Sequence, residues 1–385
     1  MFDWKDIEQF GQRTGDAGYV RITVALGTEP AFRRATEPSG HYFEQPVQVL
    51  GDATRFRYPP RTAQNDFIHQ VVDIGPCRVV GWRTLATDTM VYNDEFSGSE
   101  AMKRVVQEGT SGYFEGFMLE PYGNPIQGHA LYVLDAKETL HLTGNSYFVG
   151  SLEPSNYGSF LLRTLPKLLH IRHLIKPEDN LVLSTEYPWV GQFMSLLGIR
   201  AKVVNLPRKA VKITMDRGLL VTSSYNEGFL ARATLADLRT LIADVPAGPH
   251  KKVWVSRRFR AKQAPNYRPL TNEAELVELA KAHGFVEVEM ENLSLIDQIS
   301  VMKGARVIAG PSGSGLLNTI FAETGAQIIE LESFTHCIRQ HGKVYSSCGH
   351  SYVEVFGEFD PEDKRDQVTR RWKVATDLMS SLLNL

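Results

Sequence analysis

The sequence predicts a mixed α/β protein in which two doubly wound parallel sheets face each other, with a β-rich module in front of them. Three observations predict it. From about residue 155, short strand-like apolar runs alternate with segments of helical apolar spacing. The alternation breaks at Val245-Pro246-Ala247-Gly248-Pro249 and then starts afresh. Late in the second block an apolar strand runs straight into a turn of three glycines. Strands that alternate with helices pair in parallel, so two blocks give two sheets.

The elements follow in order. Val20-Arg21-Ile22-Thr23-Val24 is a short strand in a polar leader. Residues 40–150 are β-like runs broken by Gly, Pro and Asn, such as Val47–Leu50, Arg78–Trp82 and Leu131–Leu134, with a helix near Glu100–Gln107. Tyr157–Leu174 places Phe160, Leu161, Leu165, Leu168 and Leu169 on a helical period. Asn180–Leu183, Ala201–Val204 and Gly218–Val221 are strands, with helices at Val190–Leu197 and Leu235–Ile242. In the second block Lys252–Val255, Val286–Glu289, Arg306–Ala309 and Gln327–Leu331 are strands. Thr271 is the expected N-cap of a helix that runs to Ala282 and stops at Gly284; Ser294 with Asp297 has the capping-box spacing. A last helix is expected from Pro361 to Leu383. The resulting division is 1–145 for the β-rich module, 146–247 and 248–360 for the two sheets, and 361–385 for a closing helix.

Composition narrows the function classes. A chain of 385 residues is too long for one core. Forty-two basic against 44 acidic residues give a net charge of -2, with no excess to hold nucleic acid. The charged start Met1–Asp6 and the lack of any apolar run near 20 residues predict no signal peptide, no membrane span and a cytoplasmic protein; peripheral membrane contact stays open. Three cysteines, Cys77, Cys337 and Cys348, are too few and too irregular for a disulfide framework. The order of His336, Cys337, His341, Cys348 and His350 matches no familiar zinc spacing, so no metal site is expected.

The most informative stretch is Arg306–Asn318, where a buried strand meets Gly310-Pro311-Ser312-Gly313-Ser314-Gly315 and an apolar helix is expected to start. Glycines let backbone amides approach a ligand, and a helix start adds unpaired N–H groups, so the pattern favours a phosphate or diphosphate. No Lys follows the last glycine, which excludes a Walker A loop; Asn318 stands where a dinucleotide fingerprint has its third glycine. A nucleophile elbow with Ser312, Glu330 and His336 or His350 is the chemical rival, and a purely structural turn is the plain one. Arg257 or Arg258, beyond the strand Lys252–Val255, can reach the same crevice as a diphosphate fork. Glu330, at the end of the following strand, could bind a ribose hydroxyl pair.

Three stretches resemble glycosyltransferase family 61. They are Asn156-Tyr157-Gly158-Ser159-Phe160-Leu161-Leu162-Arg163-Thr164-Leu165-Pro166; Val255-Ser256-Arg257-Arg258 with Asn272-Glu273 and Gln298; and Gly310–Asn318 with Phe321 and Glu330. The resemblance spans about 145–335. It implies a GT-B-like fold and an inverting transfer from a nucleotide sugar, usually a UDP-sugar, to a saccharide or glycolipid acceptor. It implies no cofactor beyond that co-substrate and no essential metal. Carried over by position, Arg257, Ser312, Gly313, Ser314 and Gly315 face the donor; Asn156, Tyr157, Ser159 and Arg163 lie on the acceptor side. The departures fall on the chemistry. Ser159 and Ser312 stand where the family has histidines, and Arg163 stands where it has a carboxylate. An inverting transfer needs a base. Glu153, just before the first motif, is the candidate; a non-catalytic nucleotide-sugar or glycan-binding relative is the alternative.

Overall fold

The computed structural model describes residues 20–24, 36–42, 46–51, 63–67, 71–80, 84–87, 91–93, 117–121, 129–133, 138–150, 156–183, 187–206, 211–221, 230–333 and 338–383. In chain order the strands begin with β1 (Val20–Val24), β2 (Thr36–Tyr42), β3 (Gln48–Leu50), β4 (Ala63–Phe67), β5 (Val71–Val80), β6 (Thr84–Ala86) and β7 (Val91–Asn93). Next come β8 (Phe117–Pro121), β9 (His129–Val133) and β10 (Glu138–Val149). A helical run follows: α1 (Tyr157–Ser159), a π-helical turn Phe160–Thr164, and α2 (Leu165–Ile171). Then come β11 (Asn180–Leu183), α3 (Pro188–Leu197), β12 (Lys202–Asn205), β13 (Val211–Val221) and α4 (Arg232–Leu241). The rest is β14 (Lys252–Val255), α5 (Arg258–Gln263), α6 (Glu273–Ala282), β15 (Val286–Val288), α7 (Leu295–Gly304), β16 (Val307–Pro311), β17 (Gln327–Glu332), α8 (Ile338–Cys348), β18 (Ser351–Phe356), β19 (Glu358–Phe359), β20 (Trp372–Lys373) and α9 (Thr376–Leu383). The expected helix near Glu100–Gln107 lies outside the described residues.

The chain forms two compact units, one from residues 1–35 and 67–224, the other from 36–66 and 225–385. The main sheet of the first has the order β12-β11-β10-β13-β5-β6-β7. Its β10, β11, β12 and β13 are parallel, and β5 joins β13 antiparallel. Every residue of β11 is buried, as befits a strand covered on both faces. Leu142, Phe148, Val182, Ile213, Met215 and Leu220 carry the core. The chain steps outward from β10 to β12 and returns to the other side of β10 for β13, so the winding direction switches at β10.

The second unit holds a fully parallel sheet, order β15-β14-β16-β17-β18-β3. Here too the winding reverses, between β14 and β16. Trp254 packs with Leu276, Val277 and Ala280 of α6, and with Trp372, Met379 and Leu382 beneath the sheet. The first 145 residues, expected as a separate module, divide their strands between the units: β5–β7 extend the first sheet and β3 edges the second. A three-residue run such as β3 cannot declare which sheet it joins.

Four further expectations are corrected. Residues 230–247, expected with the first sheet, pack in the second unit. There Lys303 Nζ donates to the Ile242, Ala243 and Val245 carbonyls at 2.7, 2.9 and 2.6 Å, closing the end of α4. The closing helix starts at Thr376, not Pro361, because Asp363 and Asp366 accept local backbone N–H groups and hold turns there. Thr271 does not cap α6; its hydroxyl donates to Trp372 O at 3.1 Å, and the N-cap position falls to Asn272. The glycine-rich turn enters a six-residue 3-10 helix, Leu316–Phe321, rather than an α-helix. The Ser294–Asp297 cap and the Gly284 stop are as expected.

Glu354 on β18 is fully buried, and neither carboxyl oxygen has a hydrogen-bond partner. Burial pushes its pKa up to about 8. A carboxyl raised in the folded state stabilises fully below its unfolded pKa of about 4.3, and that stability is lost as pH rises through the folded value. Glu354→Gln is expected to be neutral at pH 4 and to gain about 1–3 kcal/mol by pH 8. Urea unfolding of both proteins at the two pH values checks this; an equal difference at both pH values contradicts it.

Candidate functional site

The reversal between β14 and β16 fixes where a ligand goes in an open parallel sheet: at the carboxyl ends of those two strands. Arg257 follows β14 by two residues, and Ser312 follows β16 directly. Gly310 allows the approach, since a Cβ there would collide with the Val255 carbonyl. The two connections meet in hydrogen bonds. The Ser312 carbonyl accepts from Arg257 Nη1 at 2.9 Å and from Arg268 Nη2 at 2.7 Å. Ser312 itself is buried, whereas Gly313, Ser314 and Gly315 are partly exposed. A Cβ on Gly313 would lie 3.4 Å from Arg257 Nε and 3.5 Å from Arg268 Nη2. The amides of Gly313 and Gly315 donate to no group among the described residues.

The two arginines differ in charge balance. Arg268 is buried and ion-paired with buried Glu332 at 3.1 Å. Arg257 is partly exposed and has no ion pair among the described residues. Its backbone N–H donates to Glu273 Oε1 at 2.6 Å. Burial raises the Glu273 pKa above the ordinary carboxylate value. Desolvation, and then the repulsion of Arg268, lower the Arg257 pKa to about 10, so it remains a cation at neutral pH. The turn therefore sets a guanidinium that has no ion pair among the described residues beside two open amides. Groups of that kind are suited to an anion.

The other candidates separate. Arg258 turns to Glu287, with Nε at 2.8 Å and Nη2 at 2.9 Å, away from the turn. Glu330, expected at a ribose, is fully buried; His341 Nδ1 meets it at 2.6 Å and the Tyr345 hydroxyl donates to it at 3.0 Å. It is a buttress beneath the turn, not an open ligand. His336 lies outside the described residues, and His350 Nε2 is bonded to Thr319 O at 3.0 Å. The nucleophile-elbow triad is thus not assembled among the described residues. Arg268 and Tyr267 were not singled out by the sequence. Their only signal there is the turn-forming context of Asn266-Tyr267-Arg268-Pro269.

In the first unit, Asn156 Oδ1 caps the helical run by accepting from Gly158 N at 2.9 Å and Ser159 N at 3.3 Å. It lies beyond the carboxyl end of β10, the strand where that sheet reverses. Tyr157 sets its ring edge-on to Trp189 at 5.5 Å. Ser159 and Arg163 are buried at 7% and 8% exposure, so neither lies at an open surface. Arg163 sits in the π-helical turn, a local widening that often accompanies functional segments. Glu153 lies outside the described residues. No helix among the described residues is long and apolar enough to cross a membrane.

Burial alone would raise the Glu330 pKa, yet His341 and the Ser312 and Tyr345 hydroxyls hold it below the ordinary carboxylate value. A carboxyl lowered in the folded state stabilises above its unfolded pKa of about 4.3 and loses that stability as pH falls through the folded value. Glu330→Gln is expected to cost about 1.5–3 kcal/mol at pH 7 and progressively less below pH 4. Paired unfolding curves at pH 7 and pH 3 measure it. A cost that grows on acidification would contradict the assignment.

The comparisons bear on this geometry. No curated protein matches the chain. A family model does, that of glycosyltransferase 61, over residues 157–329. The match opens at Tyr157, next to the capping Asn156, and contains Arg257, Arg268 and the whole glycine-rich turn. Over those residues the chain is similar to glycosyltransferase family 61, a family of glycosyl-transferring enzymes.

Proposed function

We propose that the chain is an inverting glycosyltransferase. It moves a hexosyl or pentosyl group from a nucleoside-diphosphate sugar, a UDP-sugar in the first instance, to a saccharide or glycolipid acceptor. Capsule or other polysaccharide assembly in the cytoplasm is the setting that fits such substrates. The observation that carries the reading is the Arg257 guanidinium, without an ion pair among the described residues, at the glycine-rich turn where the sheet reverses.

The chemistry follows from that charge. An acceptor hydroxyl oxygen bonds to the anomeric carbon as the bond from that carbon to the diphosphate oxygen breaks. The electron pair leaves with the diphosphate, and the hydroxyl proton passes to a base, for which Glu153 is the proposed residue. Arg257 and the Gly313 and Gly315 amides stand where the departing charge grows, and preformed donors of this kind lower the barrier. A guanidinium in that position can replace a divalent cation, so the proposed reaction needs no metal and survives a chelator.

The second reading, a binding protein without turnover, is favoured by one observation: Ser159 and Arg163 occupy the first motif without a carboxylate, and both are buried. Offering UDP-, GDP- and dTDP-sugars with saccharide acceptors separates the two. Sugar-dependent release of nucleotide supports the transferase, binding without release supports the second reading, and no binding rejects both.

Gly313 gives a sharper test. Its surroundings leave ordinary contact distance for a Cβ, so Gly313→Ala should keep nucleotide affinity within a few fold. Gly313→Asp places a carboxylate against Arg257 and Arg268 and satisfies the cations internally. Its melting temperature should hold while UDP affinity falls by about a hundredfold or more, as expected for losing a charge-assisted contact of about 3 kcal/mol. Arg257→Ala should lose as much, and Arg258→Ala little. Calorimetric titration with UDP reads all four; unchanged affinity for Gly313→Asp removes the diphosphate assignment.

A further inference from the structure

Tyr267 is 43% exposed, one of the few large hydrophobic side chains among the described residues of the second unit left open to solvent. Its neighbours are the two cations of the turn. The Arg257 guanidinium carbon lies 5.8 Å from its ring centroid and that of Arg268 lies 5.3 Å away. A Cβ built on Gly313 would be in van der Waals reach of the same two arginine side chains. The glycine-rich turn and the tyrosine ring therefore both adjoin the same pair of arginines.

The loop that presents the ring is held firmly. Arg268 has φ of +48°, and no other non-glycine residue among those described has a positive φ. Such a backbone costs free energy in an L-residue and persists only where its surroundings impose it. They do so here: Arg268 N donates to Val368 O at 2.7 Å, Trp372 Nε1 donates to Arg268 O at 3.2 Å, and Trp372 N donates to Pro269 O at 3.1 Å. Directly before it, Tyr267 N donates to Ala264 O at 3.0 Å. A strained, braced turn that buries one arginine while leaving the adjacent aromatic ring exposed makes little sense as packing alone. Burying the ring would have removed more apolar surface from water.

We infer that the exposed ring of Tyr267 is the stacking platform for the nucleobase of the donor, adjoining the diphosphate held at Arg257 and Gly313. The inference rests on the proposed nucleotide-sugar reading and specifies which part of the donor each group takes. A base stacks on an aromatic ring through its π-face, so the contact accepts any planar base and does not by itself select uracil. The neighbouring guanidiniums favour the electron-rich faces of both rings.

The experiment compares UDP with ribose 5-diphosphate, which lacks the base, by calorimetric titration of the full chain. Wild type should bind UDP about tenfold or more tightly than ribose 5-diphosphate. Tyr267→Leu should lower UDP affinity to that of ribose 5-diphosphate and leave ribose 5-diphosphate affinity unchanged. Tyr267→Phe should keep the wild-type preference, because the ring and not the hydroxyl makes the contact. Equal losses for both ligands would make Tyr267 a brace for the arginines and overturn the inference. An unchanged UDP preference in Tyr267→Leu would place the base elsewhere and also overturn it. Failure of the underlying reading looks different: wild type then binds neither ligand, or Arg257→Ala changes neither affinity.

Discussion

One carbonyl oxygen organises the site. Ser312 O accepts from Arg257 and Arg268 together, and this shared bond sets two cations side by side at the tip of β16. Like charges in such proximity repel, so the arrangement exists only because other groups hold it. Glu332 neutralises Arg268, and the Trp372 strand fixes the Arg268 backbone. Glu273 secures the Arg257 backbone while the Ser256 hydroxyl donates to the same carboxyl at 3.2 Å. Every support acts on Arg268 or on main chain. None among the described residues forms an ion pair with the Arg257 guanidinium, and in the proposed reading that cation is left for the ligand.

This layering explains what the sequence could and could not reveal. Gly310–Gly315 and Arg257 were legible because the first runs straight out of β16 and the second lies two residues past β14, and strand ends at a reversal face ligands. Choosing between Arg257 and Arg258 was not possible from order alone. The choice depends on Glu287, on the neighbouring strand, drawing Arg258 sideways. Glu330 was legible as a position and not as a role. A glutamate at the middle of a buried strand reads like any strand-end carboxylate until His341 and Tyr345 are seen to enclose it. Arg268 and Tyr267 sit in an aperiodic turn, and nothing in their spacing signals that residues 368–372 will clamp it.

The same limits govern the fold. Alternation of strand and helix gave both parallel sheets, because buried strands and amphipathic helices have different periods. Membership of a sheet has no period. β3, only three residues long, edges the second sheet, and the expected module of residues 1–145 contributes strands to both units. Local side-chain bonding was the other blind spot. Asp363 and Asp366 convert an apparently helical stretch into turns, and Asn272 and Thr271 spend their side chains on Val374 and Trp372 rather than on a cap.

The Arg257 charge also bears on how transfer would gain speed. A sugar diphosphate ester gains one negative charge as its glycosidic bond breaks, since the bridging oxygen departs with the electron pair. A site matched in advance to the ester would bind substrate well and do nothing for the chemical step. In the proposed reading Arg257 is left without an ion pair until the ligand arrives, partly exposed, with its pKa lowered to about 10 by desolvation and then by Arg268. Its interaction energy would then rise as the oxygen's charge grows, and more than it would in bulk solvent. The 3-10 geometry of Leu316–Phe321 fits this division of labour. Six residues of tight helix add little dipole, so in the proposed reaction the guanidinium and the open glycine amides would carry the electrostatic work that a longer helix would otherwise share.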